Sequence, residues 1–275
     1  MAKAVFVLTN NKGGVGKSTS ATNLAYGLIQ TLRYAGLEQP RVLLIDTDGQ
    51  AHSTLLTTGR KDFGERDSLH TVLMAQSRDL LDIYRQCLVQ SHWDEGLHVL
   101  PGSSWLDETE NRLFSANGAP YRLAQAIEPI AAAYHAIVID TRPSYTLMTK
   151  MAILAGTDAI IPIEPRYLEG LALNQAISEI TDIRDGWKYN DIRVSGILVT
   201  KADRRIKGHV NVIEQLKASS FGALLCGVIP ANEDISYSHA NHQSVMQFNP
   251  RAAASRAYAD VSLRLAKRLF SHKEQ

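Results

Sequence analysis

Short runs of apolar residues alternate with longer stretches of helical periodicity along most of the chain. Apolar runs that polar or glycine residues bound on both sides are typical of strands buried on both faces of a sheet. Their alternation with helices predicts an α/β fold, with a mostly parallel central sheet of about seven or eight strands and helices on both faces. We predict strands at Ala4–Thr9, Val42–Asp46, Leu97–Leu100, Ala136–Asp140, Ala159–Ile163, Val194–Thr200 and Cys226–Ile229.

This alternation is not interrupted by any linker rich in Pro, Gly or Ser. A chain of 275 residues, of which 45% are hydrophobic, can bury one large core. We therefore expect a single domain over residues 1–275.

The overall charge and the cysteines narrow the class of protein. A formal net charge of +1 gives no general attraction for nucleic acid or membranes, so any such binding must come from a local patch. Cys87 and Cys226 lack metal-ligand spacing, which favours reduced thiols in a cytosolic protein. The first predicted strand begins at Ala4, which leaves no room for a signal peptide, and the apolar runs are too short to span a membrane. We therefore expect a cytoplasmic protein.

A glycine-rich stretch, Lys12-Gly13-Gly14-Val15-Gly16-Lys17-Ser18-Thr19, joins the first predicted strand to a helical pattern. In this context it matches a Walker A phosphate loop, whose glycines let backbone N–H groups curl around an anion. The following helix adds its positive end. We expect Lys17 to reach the β- and γ-phosphates, Ser18 to bind Mg²⁺ and Thr19 to face the α-phosphate. The predicted nucleotide-binding residues here are Gly13, Gly14, Val15, Gly16, Lys17, Ser18 and Thr19.

Two other predicted strands end in carboxylates. Asp46 and Asp48 are two residues apart at a strand end, so their side chains point the same way. Asp140 ends a Walker B-like strand, where an acid can hold Mg²⁺ through water. Ligands of open α/β sheets lie outside the carboxyl ends of strands, so we expect these acids to converge on the phosphate loop. Capping of the next helix is an alternative role for Asp48.

The phosphate loop contains a second lysine, Lys12, five residues before Lys17. This spacing resembles the deviant Walker A box of the ParA/MinD family of ATPases. The resemblance implies that Lys12 reaches across a dimer interface to the partner's nucleotide and acts in catalysis with Lys17. The alternative is an ordinary solvated loop lysine.

Two segments at strand ends resemble further motifs of this family. Asp46-Thr47-Asp48-Gly49-Gln50 resembles its Asp-x-Asp-Pro-Gln box, with Gly49 in place of proline. The resemblance implies that Asp48 positions the attacking water and that Asp46 supports the Mg²⁺ shell. After Asp140, the stretch Thr141-Arg142-Pro143-Ser144 resembles the family's Asp-x-Pro-Pro-Ser, with Arg142 in place of the first proline. Arg142 either pairs with a carboxylate, which we favour, or acts as an arginine finger.

Three later segments resemble family motifs in the expected order. Residues 164–171 are similar to a segment that lines the dimer interface in relatives. Thr200-Lys201-Ala202-Asp203 and Ile229-Pro230 resemble segments near the base, which implies that Lys201, Asp203 and Pro230 bind the nucleotide. The asparagine of the guanine-reading Asn-Lys-x-Asp box is missing, so ATP with Mg²⁺ is predicted rather than GTP.

Over about residues 3 to 268 the chain is similar to ParA-type partition ATPases. The resemblance implies an ATP-bound homodimer that binds DNA without sequence preference, a nucleoid-associated location, and a ParB-like partner that stimulates hydrolysis. Lys and Arg contacts with phosphates would supply the DNA affinity. Two basic clusters are candidates for these contacts: Arg204, Arg205 and Lys207, and then Arg251, Arg256, Arg264, Lys267 and Arg268.

A MinD-like, membrane-associated positioning ATPase is the alternative function. The C-terminal helical pattern carries apolar residues on one face and cations towards the other, as interfacial helices do. Such a helix could lie on a membrane or could pack against the sheet. DNA is favoured as the binding surface, because the polar residues 271–275 add little apolar area. The apolar face consists of Tyr258, Val261, Leu265 and Leu269.

Overall fold

A computed structural model describes residues 4–166, 169–187 and 192–271. Its centre is an eight-stranded sheet with the strand order β3-β4-β2-β5-β1-β6-β7-β8. Only β3 and β4 pair antiparallel; the other neighbours in the sheet are parallel. The fold class predicted from the sequence is thereby confirmed. The strands are β1 (Val5–Leu8), β2 (Val42–Asp46), β3 (Val89–Gln90), β4 (Leu97–Leu100), β5 (Ala136–Asp140), β6 (Asp158–Ile163), β7 (Arg193–Ala202) and β8 (Leu225–Pro230).

Helices cover both faces of the sheet, as the alternating pattern predicts. Within the described ranges they are α1 (Lys17–Tyr34), α2 (His52–Thr58), α3 (Leu69–Met74), α4 (Leu80–Cys87), α5 (Trp105–Leu113), α6 (Arg122–Ala131), α7 (Leu147–Ala155), α8 (Glu169–Trp187), α9 (Lys207–Ala218), α10 (Glu233–Ala240), α11 (Val245–Phe248) and α12 (Ala253–Ser271).

The central strand β1 separates two hydrophobic cores. Val5 and Val7 face a core formed with residues of α3 to α9, whereas Phe6 and Leu8 face a core formed with α1 and α12. Successive side chains of a strand point to opposite faces, so an uninterrupted apolar run supplies both cores. The central position of β1 places the carboxyl ends of β1, β5 and β2 side by side.

All seven predicted strands are present, and the structure adds β3 as an eighth. This strand contains only Val89 and Gln90 and lies at the edge of the sheet. Two residues are too few to show a period, so the sequence pattern could not reveal them. Strand β7 is also longer than predicted, because it extends from Arg193 to Ala202.

The apolar face of α12 is packed against the protein. Tyr258, Val261, Leu265 and Leu269 are each at most 2% exposed and lie in the core that contains Phe6. Helix α12 packs on α1 and β8. This packing removes the surface that the membrane-binding alternative requires. Of the helices in the described residues, none combines the length and the apolar character needed to cross a bilayer.

Candidate active site

The phosphate loop connects the end of β1 to the start of α1. Gly14 and Gly16 have φ angles of 76° and 81°, in the left-handed region that glycine adopts without a steric penalty from Cβ. Gly16 directly precedes Lys17, the first residue of α1. Since glycine has no side chain, this helix end is left uncapped. Its free N–H groups can therefore bind an anion.

Lys17 is folded inward beneath the loop. Its Nζ donates a hydrogen bond to the carbonyl of Lys12 at 2.9 Å, and the residue is only 6% exposed. Burial lowers the pKa of Lys17, and the charges of Asp140 and Asp48 oppose that shift. The structure thus brings the ammonium group within electrostatic reach of carboxylates that follow two neighbouring strands.

Asp140 is a fully buried carboxylate, and it pairs in register with Asp46 across β5 and β2. Burial and the charge of Asp46 raise the pKa of Asp140 to about 7. Ser53 Oγ donates a hydrogen bond to Oδ2 at 2.6 Å, whereas no described residue donates to Oδ1. Burying an acceptor without a donor costs free energy, so we expect a water molecule or an ion to bind beside this oxygen.

The oxygen donors beside Asp140 suit Mg²⁺. Ser18 lines the cleft in front of the phosphate loop, and its hydroxyl is close enough to lower the pKa of Asp140. The described part of the chain contains no group of three or more His, Cys, Asp and Glu side chains that could hold a metal alone. Mg²⁺ usually keeps several waters and takes further ligands from phosphates, so a hydroxyl and one carboxylate are a fitting protein contribution.

Asp46 is held by the residues that follow it, and its predicted support of the Mg²⁺ shell stays a prediction. Its Oδ2 accepts hydrogen bonds from the backbone N–H of Thr54 at 2.9 Å and from its hydroxyl at 2.7 Å. Its Oδ1 accepts the N–H of Asp48 at 3.1 Å. Burial raises the pKa of Asp46 to about 6. Because both oxygens are engaged by the chain itself, Asp46 anchors the turn that leads into α2.

Asp48 borders the cleft and is 8% exposed. Its Oδ1 accepts the N–H of Gln50 at 3.0 Å, which forms a tight turn around Gly49. The N-cap position of α2 belongs to Ala51, so the capping alternative for Asp48 is wrong. Its predicted role towards the attacking water stays a prediction.

A cleft of about 730 Å³ opens in front of the phosphate loop. Most of the predicted loop residues line it, but Val15 is fully buried and its carbonyl accepts the Thr200 hydroxyl at 2.8 Å. Sequence reasoning missed the side chains that α2 and α10 contribute, since nothing local to those helices indicates that they meet at this loop. The missed residues of the cleft wall include His52, Leu55, Leu56 and His239.

The residues predicted to lie near the base fall in two places. Lys201 Nζ donates hydrogen bonds to the carbonyl of Gly14 at 2.5 Å and to Glu164 at 2.9 Å, and Lys201 lines the phosphate cleft. Asp203 and Pro230 instead line a second cleft of about 800 Å³. Only Lys201 of these three therefore borders the phosphate cleft.

Lys12 is exposed at the rim of the loop. Burial raises the pKa of Glu164, but the positive charges around it, mainly Lys201 and also Lys12, bring the pKa below its usual value. Lys12 therefore lies on the side of the loop that faces Glu164 and the predicted interface segment. Tyr167 and Leu168 of that segment lie outside the described residues.

Arg142 pairs with carboxylates, which confirms the favoured alternative. Its guanidinium forms ion pairs with Asp107 at 2.6 Å and with Glu110 at 3.1 Å, both on α5. The side chain is 16% exposed and borders the phosphate cleft.

Arg268 requires a correction, because it is not a free surface cation. It forms an ion pair with Asp158, whose side chain is 3% exposed, and it donates to Ser195 Oγ at 2.7 Å. Arg193 pairs with the same carboxylate at 3.1 Å. Arg268 therefore ties α12 to β6 and β7 and is not available as a phosphate contact.

The other predicted DNA-binding residues differ in how far they are engaged. Arg205 pairs with Asp203 at 2.7 Å, and Arg264 donates to the carbonyl of Cys226 at 3.3 Å. Arg204 and Arg256 line the second cleft, and neither forms an ion pair with a described residue. Three further predicted cations are exposed: Lys207, Arg251 and Lys267.

Comparison with known proteins places this geometry in a family. A family model described as an AAA domain matches residues 3–193. The chromosome partitioning protein ParA of Caulobacter vibrioides is 30% identical over 272 residues, which cover 98% of this chain and 94% of that protein. The chain belongs to the ParA/MinD family of P-loop ATPases. It is therefore an ATP hydrolase of the P-loop type.

Two further comparisons agree with membership of the ParA/MinD family. The sporulation initiation inhibitor protein Soj of Bacillus subtilis is 28% identical over 262 residues, which cover 95% of this chain and 98% of Soj. The solved structure of apo McdA from Cyanothece superposes with a TM-score of 0.80 at 16% identity, over 96% of this chain and 99% of that one. The latter likeness shows that the fold is shared.

Proposed function

We propose that this ParA/MinD-family protein is a DNA-partitioning ATPase that hydrolyses Mg-ATP in the phosphate cleft. The observation that carries the proposal is the convergence of Lys17, Asp48 and Asp140 on the glycine loop, at the carboxyl ends of β1, β2 and β5. The names of the relatives support the biological setting, since they include chromosome partitioning proteins.

Each group of the cleft has a distinct task in this proposal. Lys17 and the loop N–H groups bind the phosphates, and the base lies towards Lys201. Ser18 and Asp140 would hold Mg²⁺, and Oδ1 of Asp140, to which no described residue donates, would be the acceptor atom. The bound ion neutralises part of the triphosphate charge. Asp48 orients the attacking water from its position on the cleft wall.

Dimerisation is the proposed switch. Lys12 is an exposed residue on the rim of the loop, which is the position from which a lysine side chain can reach the nucleotide of a second protomer. In the proposed ATP-bound homodimer, Lys12 therefore completes the partner's site. Hydrolysis removes the γ-phosphate that both lysines hold, so the dimer separates.

DNA binding is assigned to the basic face around the second cleft. Arg204 and Arg256 form no ion pair there with any residue that the structure describes, and Lys207 and Arg251 are exposed on neighbouring segments. A dimer doubles this charge, so ATP binding and affinity for DNA phosphates rise together. The same scheme has a ParB-like partner that stimulates hydrolysis and a cytoplasmic, nucleoid-associated location.

Lys12→Ala tests the switch directly. We expect the variant to lose ATP-dependent dimerisation and DNA binding while its monomer still binds a fluorescent ATP analogue, since Lys12 lies at the rim and Lys17 lies beneath the loop. Light scattering with a non-hydrolysable analogue and co-sedimentation with plasmid DNA measure both losses. Lys61→Ala, in an exposed loop away from the cleft, is the matched control.

Two outcomes would contradict the proposal. A Lys12→Ala protein that still forms the ATP-dependent dimer would remove the role of this lysine. Wild-type protein that sediments with anionic liposomes in the presence of ATP, but not with plasmid DNA, would replace DNA by a membrane as the binding surface.

A further inference from the structure

The guanidinium group of Arg142 connects three parts of the molecule. Its Nη2 pairs with Asp107 at 2.6 Å and its Nη1 with Glu110 at 3.1 Å, one turn apart on α5. Glu110 also accepts the N–H of Met148, at the start of α7, at 3.1 Å. Arg142 and Glu110 are 16% and 17% exposed, so water screens this pair only in part. The guanidinium is therefore held at a defined place beside the cleft.

Gly49 lies beside this guanidinium, with little room for a side chain between them. A Cβ built on Gly49 would lie 3.3 Å from Arg142 Nη2, 3.6 Å from the carbonyl oxygen of Ser103 and 3.8 Å from Asp107 Oδ1. An alanine at this position would require the guanidinium to shift by a few tenths of an ångström. The absence of a side chain at residue 49 thus leaves the guanidinium room beside the turn.

The turn that Arg142 contacts carries Asp48. Asp48 Oδ1 accepts the N–H of Gln50, so the hydrogen-bonded turn encloses Gly49. The ends of β2 and β5, which precede Asp48 and Arg142, are also hydrogen-bonded to each other. The N–H and the hydroxyl of Thr47 donate to the carbonyl of Asp140 at 3.0 Å and 2.7 Å. Asp48 and Arg142 border the same cleft. A displacement of Gly49 would therefore displace the Asp48 carboxylate.

We propose that Arg142 is a positioning residue for hydrolysis. Its ion pairs with Asp107 and Glu110 fix the guanidinium, which restrains the turn at Gly49. The restrained turn thereby keeps the carboxylate of Asp48 in place. The inference rests on the proposed role of Asp48 in orienting water. It assigns a purpose to the joint presence of glycine at 49 and arginine at 142. Through Asp107 and Glu110, helix α5 then also influences the turnover rate.

Hydrogen exchange without nucleotide tests the restraint itself. We expect Arg142→Ala to speed exchange of the Gln50 amide, because its acceptor on Asp48 loses the support of the guanidinium. Asp107→Ala removes one anchor at a side chain that is 68% exposed, so it should speed exchange of the same amide with little effect on folding. Unchanged exchange in both variants would overturn the proposal, whether or not the wild-type protein hydrolyses ATP.

A double-mutant cycle on turnover tests the consequence for hydrolysis. Arg142→Ala should lower kcat about tenfold with little change in ATP-analogue affinity, since a displaced catalytic group affects the chemical step more than binding. Gly49→Ala should lower kcat in the wild-type protein and should have no further effect in Arg142→Ala, because the added Cβ then has no guanidinium to displace. Gly186→Ala, where a Cβ would meet nothing within 4 Å, is the matched control.

The cycle distinguishes a restraint from two unrelated losses. Equal fold-changes for Gly49→Ala in both backgrounds would overturn the proposal, as would an unchanged kcat in Arg142→Ala. Thermal melting of each variant separates these results from a loss of folded protein. If the wild-type protein showed no ATP hydrolysis, the proposed function would fail, and the hydrogen-exchange result would still decide whether the restraint exists.

Discussion

The phosphate cleft and the second cleft have similar volumes but are built from different material. The first is lined by the backbone of a glycine loop and by shielded side chains such as Lys17 and Asp48, 6% and 8% exposed, each held by a hydrogen bond to the backbone. The second is lined mostly by exposed residues, and two of its cations, Arg205 and Lys217, pair with acids of the same cleft.

This difference indicates how each cleft should respond to mutation. Groups that the fold holds in place can stabilise developing charge without reorganising, so the loss of one such group lowers the reaction rate strongly. Exposed cations contribute through counterion release, and each adds a similar modest amount to phosphate affinity. A single substitution in the phosphate cleft should therefore abolish most of the ATP hydrolysis, whereas each substitution on the basic face should lower the affinity for DNA by a small amount.

Lys17→Ala is expected to have the largest effect. Removal of the preorganised ammonium group should lower ATP hydrolysis at least about 100-fold. Phosphate release and binding of a fluorescent ATP analogue measure the loss, with Lys61→Ala as the control for an exposed lysine. Hydrolysis near the wild-type rate would show that the loop is not the site of phosphate binding.

Asp48→Ala separates chemistry from binding within the same cleft. We expect hydrolysis to fall about 100-fold while the ATP analogue still binds, because Asp48 acts on water and Lys17 holds the phosphates. The ATP-bound dimer should therefore accumulate, which light scattering detects. Normal turnover, or an equal loss of binding, would remove Asp48 from its proposed role; Asp62→Asn in an exposed loop is the control.

Two arginines on α12 test the basic face. Arg256→Ala should change the free energy of unfolding by less than about 0.5 kcal/mol relative to wild type. It should reduce the slope of the logarithm of the DNA-binding constant against the logarithm of the salt concentration by about 0.9. Arg268→Ala should lower the free energy of unfolding by about 2 kcal/mol, because it uncovers the buried charge of Asp158, and should leave the salt slope unchanged. Urea unfolding measures the stability of both variants, and a salt titration of DNA binding measures the slope. A loss of stability in Arg256→Ala together with a reduced salt slope in Arg268→Ala would contradict the assignment.

The smallest expected effect concerns the pH dependence of stability. The pKa of Asp140 is raised from 3.8 to about 7, so between these two pH values the folded state holds a proton that the unfolded state has released. Its contribution to stability is therefore present at low pH and falls as the pH rises from about 4 through about 7. This holds for the protein without nucleotide or Mg²⁺.

Asp140→Asn removes this titration. The free energy of unfolding of Asp140→Asn, relative to wild type, should increase by on the order of 1 kcal/mol between about pH 5 and about pH 7.5. Urea unfolding at the two pH values measures the change. A difference that is constant with pH, or that shrinks, would show that Asp140 is ionised throughout this range.

Prediction from sequence succeeded where neighbouring residues specify the structure. Gly14 and Gly16 adopt left-handed angles that glycine tolerates without a steric penalty, so the residue types of the loop indicate its conformation. Asp46 shows the limit of such reasoning: strand alternation places it beside Asp48, but the hydrogen bonds from Thr54 form only after α2 folds back. His52 and His239 were missed for the same reason, since distant helices bring them to one cleft.

The sequence by itself determined the α/β fold, the phosphate loop and the ParA/MinD family, because periodicity, glycine spacing and ordered motifs are properties of short stretches. Only the tertiary structure decided which charges are free and which are engaged. Arg268 meets Asp158 across 110 residues of chain, whereas Arg256 on the same helix has no such partner among the described residues. Ion pairing depends on the distance between atoms, and the fold alone sets that distance.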